Sequence, residues 1–249
     1  MASTPETMPD GRPAIGLIGL GAFGQLAAQH LAPHADLTGH DPHAPMPDGV
    51  QAATLAEAAA QPVVILAVPV QALGEVAAAI APHIQPGALV IDVASVKLEP
   101  MRILRETLPA GTRILGTHPL FGPQSAAQGV AGQSIVLCPE PGVDPECAAS
   151  FLRERLALDV HLSDADTHDR TMASVQALTH LVSKVITDLD LPPAPYTTRS
   201  FELLAEAARL VSQDSDALFR AIERHNPHAA DLRRRFFEAA RALDKRLAE

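Results

Sequence analysis

The stretch Ala14-Ile15-Gly16-Leu17-Ile18-Gly19-Leu20-Gly21-Ala22-Phe23-Gly24 decides how this chain is read. Ala14 to Ile18 is an apolar run of strand length, and Gly19 to Gly24 spell G-x-G-x-x-G directly behind it. Glycine-rich turns are common, so the pattern alone says little. Its position between a strand and the helix-length segment Phe23 to Leu31 gives it meaning. The first glycine permits a tight turn, the second lets a pyrophosphate approach the backbone, and the third packs helix on strand. The helix N-terminus then offers unpaired N–H groups and a favourable dipole to the phosphates. Asp41 follows Gly19 by 22 residues, just past a second apolar run. A carboxylate there accepts from the adenosine ribose hydroxyls and repels a 2′-phosphate. Pro42 and His43 come next, with no arginine beside them. The motif therefore reads as a site for NAD rather than NADP. Its candidate residues are Gly19, Leu20, Gly21, Ala22, Phe23, Gly24 and Asp41; the alternative is a structural turn beside an ordinary surface acid.

Outward from this turn, strand-length runs at Ala35 to Gly39, Val63 to Val68, Ala88 to Val93 and Arg113 to Gly116 alternate with helix-length segments Val70 to Ala81 and Lys97 to Thr107. Val63 to Val68 is continuously apolar, as a parallel strand covered on both faces requires. The alternation predicts an α/β fold: a Rossmann-type doubly wound parallel sheet. Gln133 to Cys138 and Leu158 to Leu162 extend it. After Ser163 the pattern changes. Met172, Val175, Leu178, Val182, Val185, Ile186 and Leu189 recur at the spacing of one helix face. Ser163 and Asp166 suit the first turn and Pro192-Pro193 the end. Further helices are expected over Tyr196 to Ser212, Asp214 to Arg224 and Pro227 to Lys245, with Pro227 at a first helical position. The expected organisation is a disordered tail over 1–12, a dinucleotide-binding domain over 13–162 and an all-helical C-terminal domain over 163–249 that binds substrate and dimerises.

Composition narrows the class. The 249 residues carry a formal charge of −10, which disfavours nucleic acid and anionic membranes as partners. The longest apolar stretch, Pro62 to Val70, is far short of the ~20 residues that span a bilayer. Residues 1–12 lack the basic segment and apolar core of a signal peptide, so a cytoplasmic location is expected. Cys138 and Cys147 form no C-x-x-C pair and no metal-ligand spacing, and no metal is expected.

Three more strand ends carry chemistry. Val68-Pro69 closes one strand and would line the nicotinamide crevice, or simply terminate the ladder. Ser95 and Lys97 follow Asp92-Val93 at the next; the alternatives are a helix N-cap and a solvated first-turn residue. His118, held before Pro119 in what reads as a stiff loop, stands where a hydride acceptor belongs. Histidine suits proton transfer near neutral pH.

Together, Ala94-Ser95-Val96-Lys97, the run Gly116-Thr117-His118-Pro119-Leu120-Phe121-Gly122-Pro123-Gln124-Ser125, and His168-Asp169-Arg170 through Gln176 to His180 resemble the prephenate and arogenate dehydrogenases of tyrosine biosynthesis. Arg209-Leu210-Val211-Ser212-Gln213-Asp214, Leu218-Phe219 and Asn226-Pro227 are similar to the family's C-terminal helical pattern. The resemblance implies NAD-dependent oxidative decarboxylation of a cyclohexadienol. It implies that His118 takes the hydroxyl proton, that Ser95 orients that histidine or the hydroxyl, and that Gln124 contacts the substrate side chain. It further implies that Gln176, His180 and Arg209 reach in from the helical domain, with Arg209 clamping a carboxylate in the two-pronged way a guanidinium allows.

Helix geometry puts Asp169, Gln176 and His180 within about 40° of one another, nearly opposite the apolar face. On geometry alone that stripe is a solvent face; the resemblance turns it toward substrate for His180 and Gln176. Asp169 and Arg170 read as structural, and His225 and His228 as surface residues. Many relatives carry an acid where this chain has Gln124, and an acid would pair with the ammonium of arogenate. Prephenate is therefore the first reading and arogenate the alternative. Other readings are a β-hydroxyacid-type dehydrogenase and a dinucleotide sensor without turnover. Fewer than 90 residues in the helical part make a small core, so a homodimer through it is expected.

Overall fold

The computed structural model describes residues 11–212 and 214–249. Of the tail expected over 1–12, residues 1–10 lie outside the described residues, as does Gln213 of the Arg209–Asp214 motif. Arg12 belongs to the folded chain instead: its guanidinium donates to the carbonyls of Ala32 and Ala35, both at 2.6 Å.

Eight strands among the described residues form one sheet: β1 (Ala14–Ile18), β2 (Asp36–His40), β3 (Val50–Ala52), β4 (Val63–Leu66), β5 (Leu89–Asp92), β6 (Arg113–Pro119), β7 (Ser134–Pro139) and β8 (Asp159–Leu162). Their order is β3-β2-β1-β4-β5-β6-β7-β8. Pairing is parallel except between β6 and β7. The chain winds outward from β1 in one direction and from β4 in the other, so the switch point lies between them. The helices of this part are α1 (Ala22–Leu31), α2 (Leu55–Ala59), α3 (Val70–Ile80), α4 (Leu98–Thr107) and α5 (Glu146–Leu156). Val64 and Leu66 pack with Ala58, Leu73 and Leu104 of α2, α3 and α4, whereas Ile65 packs with Ala28 of α1 in a separate cluster. Burial on both faces is why β4 is apolar at every position.

β3 and α2 were not expected. β3 is three residues long with two exposed, so it leaves no apolar pattern. α2 does have a signal, the capping box Thr54-x-x-Glu57: Thr54 Oγ1 accepts from Glu57 N at 3.2 Å and Glu57 Oε2 from Thr54 N at 2.8 Å. α5 also lay outside the expected elements. β6 runs three residues past Gly116 because Thr117, His118 and Pro119 pair with Leu137, Val136 and Ile135 of β7.

The chain divides into two compact units, the first ending at Ala165 and the second running from Asp166 to Glu249. The second is helical: α6 (Ala165–Met172), a π-helical turn (Ala173–Ala177), α7 (Leu178–Asp188), α8 (Arg199–Ser212), α9 (Asp216–Arg220), a second π-helical turn (Ala221–His225) and α10 (Ala229–Leu247). α7 ends before Pro192, where Asp190 adopts a left-handed φ of 47°. α8, α9 and α10 begin later than expected, and Pro227 precedes its helix rather than opening it.

The apolar face read along α6 and α7 is corrected in part: Met172 is buried and Leu178, Val182 and Ile186 are half-buried. Val175, Val185 and Leu189 are exposed, whereas Asp169 and His180 are buried. The buried stripe holds Asp169, Ala173, Ala177 and His180, and the π-helical turn lies within it. His228 is likewise not plain surface: its Nε2 lies 2.9 Å from Asp166 Oδ1.

Candidate active site

β2, β1, β4, β5 and β6 are consecutive and parallel, so their C-terminal ends form one edge. Along that edge come, in order, Asp41, the Gly19–Gly24 turn, Val68-Pro69, Ser95 and His118. Residues between 19 and 118 in sequence are thus brought to one crevice by topology alone, where open α/β sheets hold their ligands.

The three glycines have different reasons. Gly19 has φ +93°, and a Cβ there would lie 2.5 Å from the carbonyl oxygen of Ala67. A Cβ on Gly24 would lie 2.0 Å from the carbonyl oxygen of Gly19. A Cβ on Gly21 would meet nothing within 4 Å. Gly19 and Gly24 are therefore demanded by the fold. Gly21 keeps open the space over the α1 N-terminus, which no side chain caps and whose first turn holds no acid. That combination fits a dinucleotide pyrophosphate.

Asp41 sits one residue past β2. Its Oδ2 accepts from Leu20 N at 2.7 Å, and its Oδ1 from His43 N and Ala44 N, both at 2.8 Å. Partial burial raises its pKa, but these three backbone bonds outweigh it and hold the carboxyl below its usual value. Oδ1 is saturated and Oδ2 keeps one lone pair for a ribose hydroxyl. Gln25 Nε2 ties the same loops together, donating to Leu20 O at 3.0 Å and Pro45 O at 2.7 Å. Val68 packs against Gly19, and Pro69 occupies the N-cap of α3.

Ser95 is half-buried in the connection from β5 to α4. His118 is 2% exposed and lies within β6, not in a loop, opposite Val136. The loop expectation fails because β7, not Pro119, holds it in place. Lys97 is also not a solvated first-turn residue: it is wholly buried. Its Nζ donates to Asp92 Oδ1 at 2.6 Å, Asp92 Oδ2 at 2.7 Å and Thr117 O at 2.6 Å. Sequence reasoning missed this pair; the i, i+5 spacing of an acid in an apolar strand and a lysine is the faint signal it leaves. Gln124 is exposed in the turns between β6 and β7. A cavity of about 340 Å³ lies between α1, α5 and the sheet face, and its walls are mostly apolar.

In the helical unit, His180 and Asp214 border a small cavity of about 50 Å³ with Ser183 and Ser212. His180 Nε2 is 3.7 Å from Asp214 Oδ2. Burial lowers the pKa of His180 and raises that of Asp214, so desolvation outweighs their mutual attraction. Gln176 lies in the first π-helical turn, and its Oε1 is buried without a hydrogen-bond partner among the described residues. Arg209 is exposed in the last turn of α8. Asp169 is buried, 2.8 Å from His168 Nδ1, and its carbonyl accepts from Asn226 Nδ2 at 2.7 Å, which is a structural role. Arg170 pairs locally with Asp166 at 2.8 Å. No cluster of metal-ligating side chains occurs among the described residues.

Residues 47–158 match the family described as prephenate dehydrogenase, nucleotide-binding domain. That span holds Ser95 and His118 but begins after Asp41, so the glycine turn stands on its own geometry. The chain is 31% identical over 173 residues to arogenate dehydrogenase 1, chloroplastic, of Arabidopsis thaliana, covering 66% of this chain and 27% of that protein. It is 25% identical over 194 residues to a probable arogenate/prephenate dehydrogenase of Methanocaldococcus jannaschii, covering 74% and 43%. The chain thus spans less than half the length of these relatives. Its fold is similar to that of prephenate dehydrogenase from A. aeolicus, solved with hydroxyphenyl propionate and NAD+, with a TM-score of 0.72 at 18% identity over 95% of this chain and 91% of that one.

Proposed function

We propose that the chain belongs to the prephenate and arogenate dehydrogenase family and catalyses NAD-dependent oxidative decarboxylation of prephenate to 4-hydroxyphenylpyruvate. The observation that carries this is the placing of Ser95 and His118 at adjacent strand ends on the edge that also bears the open glycine turn. His118 takes the proton of the ring hydroxyl, and Ser95 orients the hydroxyl or the imidazole. When bound, NAD+ supplies the acceptor for the hydride on the same carbon. The ring carboxylate leaves as CO₂, and the electron pair it releases completes the aromatic ring as a phenoxide, which takes the proton back from His118. The backbone from Gly19 to Gly24 cradles the phosphates, and Asp41 selects the ribose.

The finer assignments follow from the same reading. Residues 13–162 bind the dinucleotide and 163–249 bind substrate and dimerise. Gln124 contacts the substrate side chain, and Gln176, His180 and Arg209 serve the substrate from the helical unit, Arg209 holding a carboxylate. Exposed Val185, Leu189 and Leu204 supply the apolar surface for a homodimer. A cytoplasmic location is part of this reading. No helix among the described residues is long and apolar enough to cross a membrane.

A second reading, arogenate as substrate, is favoured by the Arabidopsis relative; the neutral amide of Gln124 favours prephenate because it offers no charge to an ammonium. Steady-state kinetics of His118→Asn test the base. kcat should fall roughly 10²–10⁴-fold with NAD+ affinity little changed, the range for a lost general base. Near-normal kcat in the variant would mean the proton leaves by another route.

A further inference from the structure

The end of β5 poses a mechanical problem. The β5–β6 ladder stops at the pair Asp92–Gly116, yet Ser95 lies three residues past Asp92 and His118 two past Gly116. Backbone pairing holds His118 on the β7 side only. On the β5 side, side chains take over. Lys97 Nζ, with all three donors used, bridges Asp92 Oδ1 and Oδ2 to the carbonyl oxygen of Thr117 at 2.6 Å. That carbonyl belongs to the peptide leading into His118. Asp92 Oδ1 also accepts from Ala94 N at 2.9 Å, which sets the backbone just before Ser95. Thr117 Oγ1 closes the frame by donating to Asp92 O at 2.8 Å.

Burying a lysine and an aspartate costs hydration that a well-packed apolar pair would not, so the ion pair is a poor choice for stability alone. The lysine stem is fitted tightly: a Cβ on Gly116 would lie 3.1 Å from Lys97 Cδ and 2.7 Å from Met101 Sδ. These bonds end on Asp92, Ala94 and Thr117, the backbone that carries Ser95 and His118.

We propose that the buried Lys97–Asp92 pair is a positioning device that fixes the spacing of Ser95 and His118 by cross-linking their strand ends beyond the ladder. Lys97 and Asp92 act through those two residues and touch no substrate. The inference rests on the proposed dehydrogenase reading for its kinetic consequence, though not for its geometry.

The test is the full chain carrying Lys97→Met with Asp92→Asn, which removes both charges, keeps an acceptor for Ala94 N and deletes the bond to Thr117 O. Thr117→Val, which deletes only the Oγ1 tie, is the milder companion should the double variant not fold. Two readouts are taken: steady-state kinetics with NAD+ binding, and the ¹⁵N-histidine NMR spectrum, with His118→Asn assigning the His118 signals. For the double variant kcat should fall about 10- to 100-fold with KM and the NAD+ Kd within about threefold, and the His118 signals should move or broaden. For Thr117→Val the same changes should be smaller, about 3- to 10-fold in kcat. Unchanged kcat and unchanged His118 signals in either folded variant would overturn the proposal, as would an NAD+ affinity that falls in step with kcat. If the unaltered protein turns over neither prephenate nor arogenate, the proposed function fails, and the His118 spectrum alone still decides whether the pair positions that ring.

Discussion

In the proposed function Asp41 does two things at once. Its three backbone bonds staple the glycine turn to the loop after β2, and its remaining lone pair is the one available to a ribose. Asp41→Ser should therefore weaken NAD+ binding and relax discrimination against NADP+, and it should also loosen the loop, which loses a common acceptor. Binding titrations with both dinucleotides check this; an undiminished preference for NAD+ would show that Asp41 does not meet the ribose. Arg209 gives a second prediction at this scale. If its exposed guanidinium holds a substrate carboxylate, Arg209→Ala loses a charge-assisted hydrogen bond of about 1.5–3 kcal/mol, roughly 10- to 150-fold in kcat/KM, mainly through KM. Lys should rescue only in part, since it keeps the charge without the fork. A solvated helix-end arginine would leave both constants unchanged. The place of Asp41 beside the glycine turn was legible in the sequence because strand, turn and acid follow one another locally. Lys97 was not, because what buries it is β6, some twenty residues further on.

At the scale of elements, the parallel strands were readable because each is short, apolar and followed by a helix-length segment. β3 left no mark, and α2 left only its capping box. The helical unit was misread in its facing rather than missed: Asp169 and His180 are buried and Val175, in the π-helical turn at Ala173–Ala177, is exposed. α7 then carries a pH dependence. Burial depresses the pKa of His180, so folding favours its neutral form. Its contribution is intact above the unfolded value of ~6.5 and is lost as the pH falls below that toward the folded pKa. Asp214 runs the other way, since its raised pKa favours the protonated carboxyl and penalises the fold as pH rises above ~3.9. Thermal melts should show His180→Gln losing less stability than the unaltered protein between about pH 6.5 and 5. Equal losses would mean that His180 is not held neutral.

For the whole molecule, the second unit spans Asp166 to Glu249 and leaves Val185, Leu189, Leu191, Phe201 and Leu204 exposed. A lone unit of that size rarely tolerates so much apolar surface. Sedimentation should give a species of twice the 26.2 kDa chain mass, and Leu189→Asp should shift it toward the monomer. A single 26.2 kDa species at micromolar concentration would count against the dimer. The central claim concerns chemistry, and the most direct measurement is turnover. Purified protein with NAD+ and prephenate should release NADH and CO₂ one for one, with 4-hydroxyphenylpyruvate as product and arogenate used less well. Preferred turnover of arogenate would move the assignment to the second reading. No NADH from either compound, in protein that binds NAD+, would contradict the account.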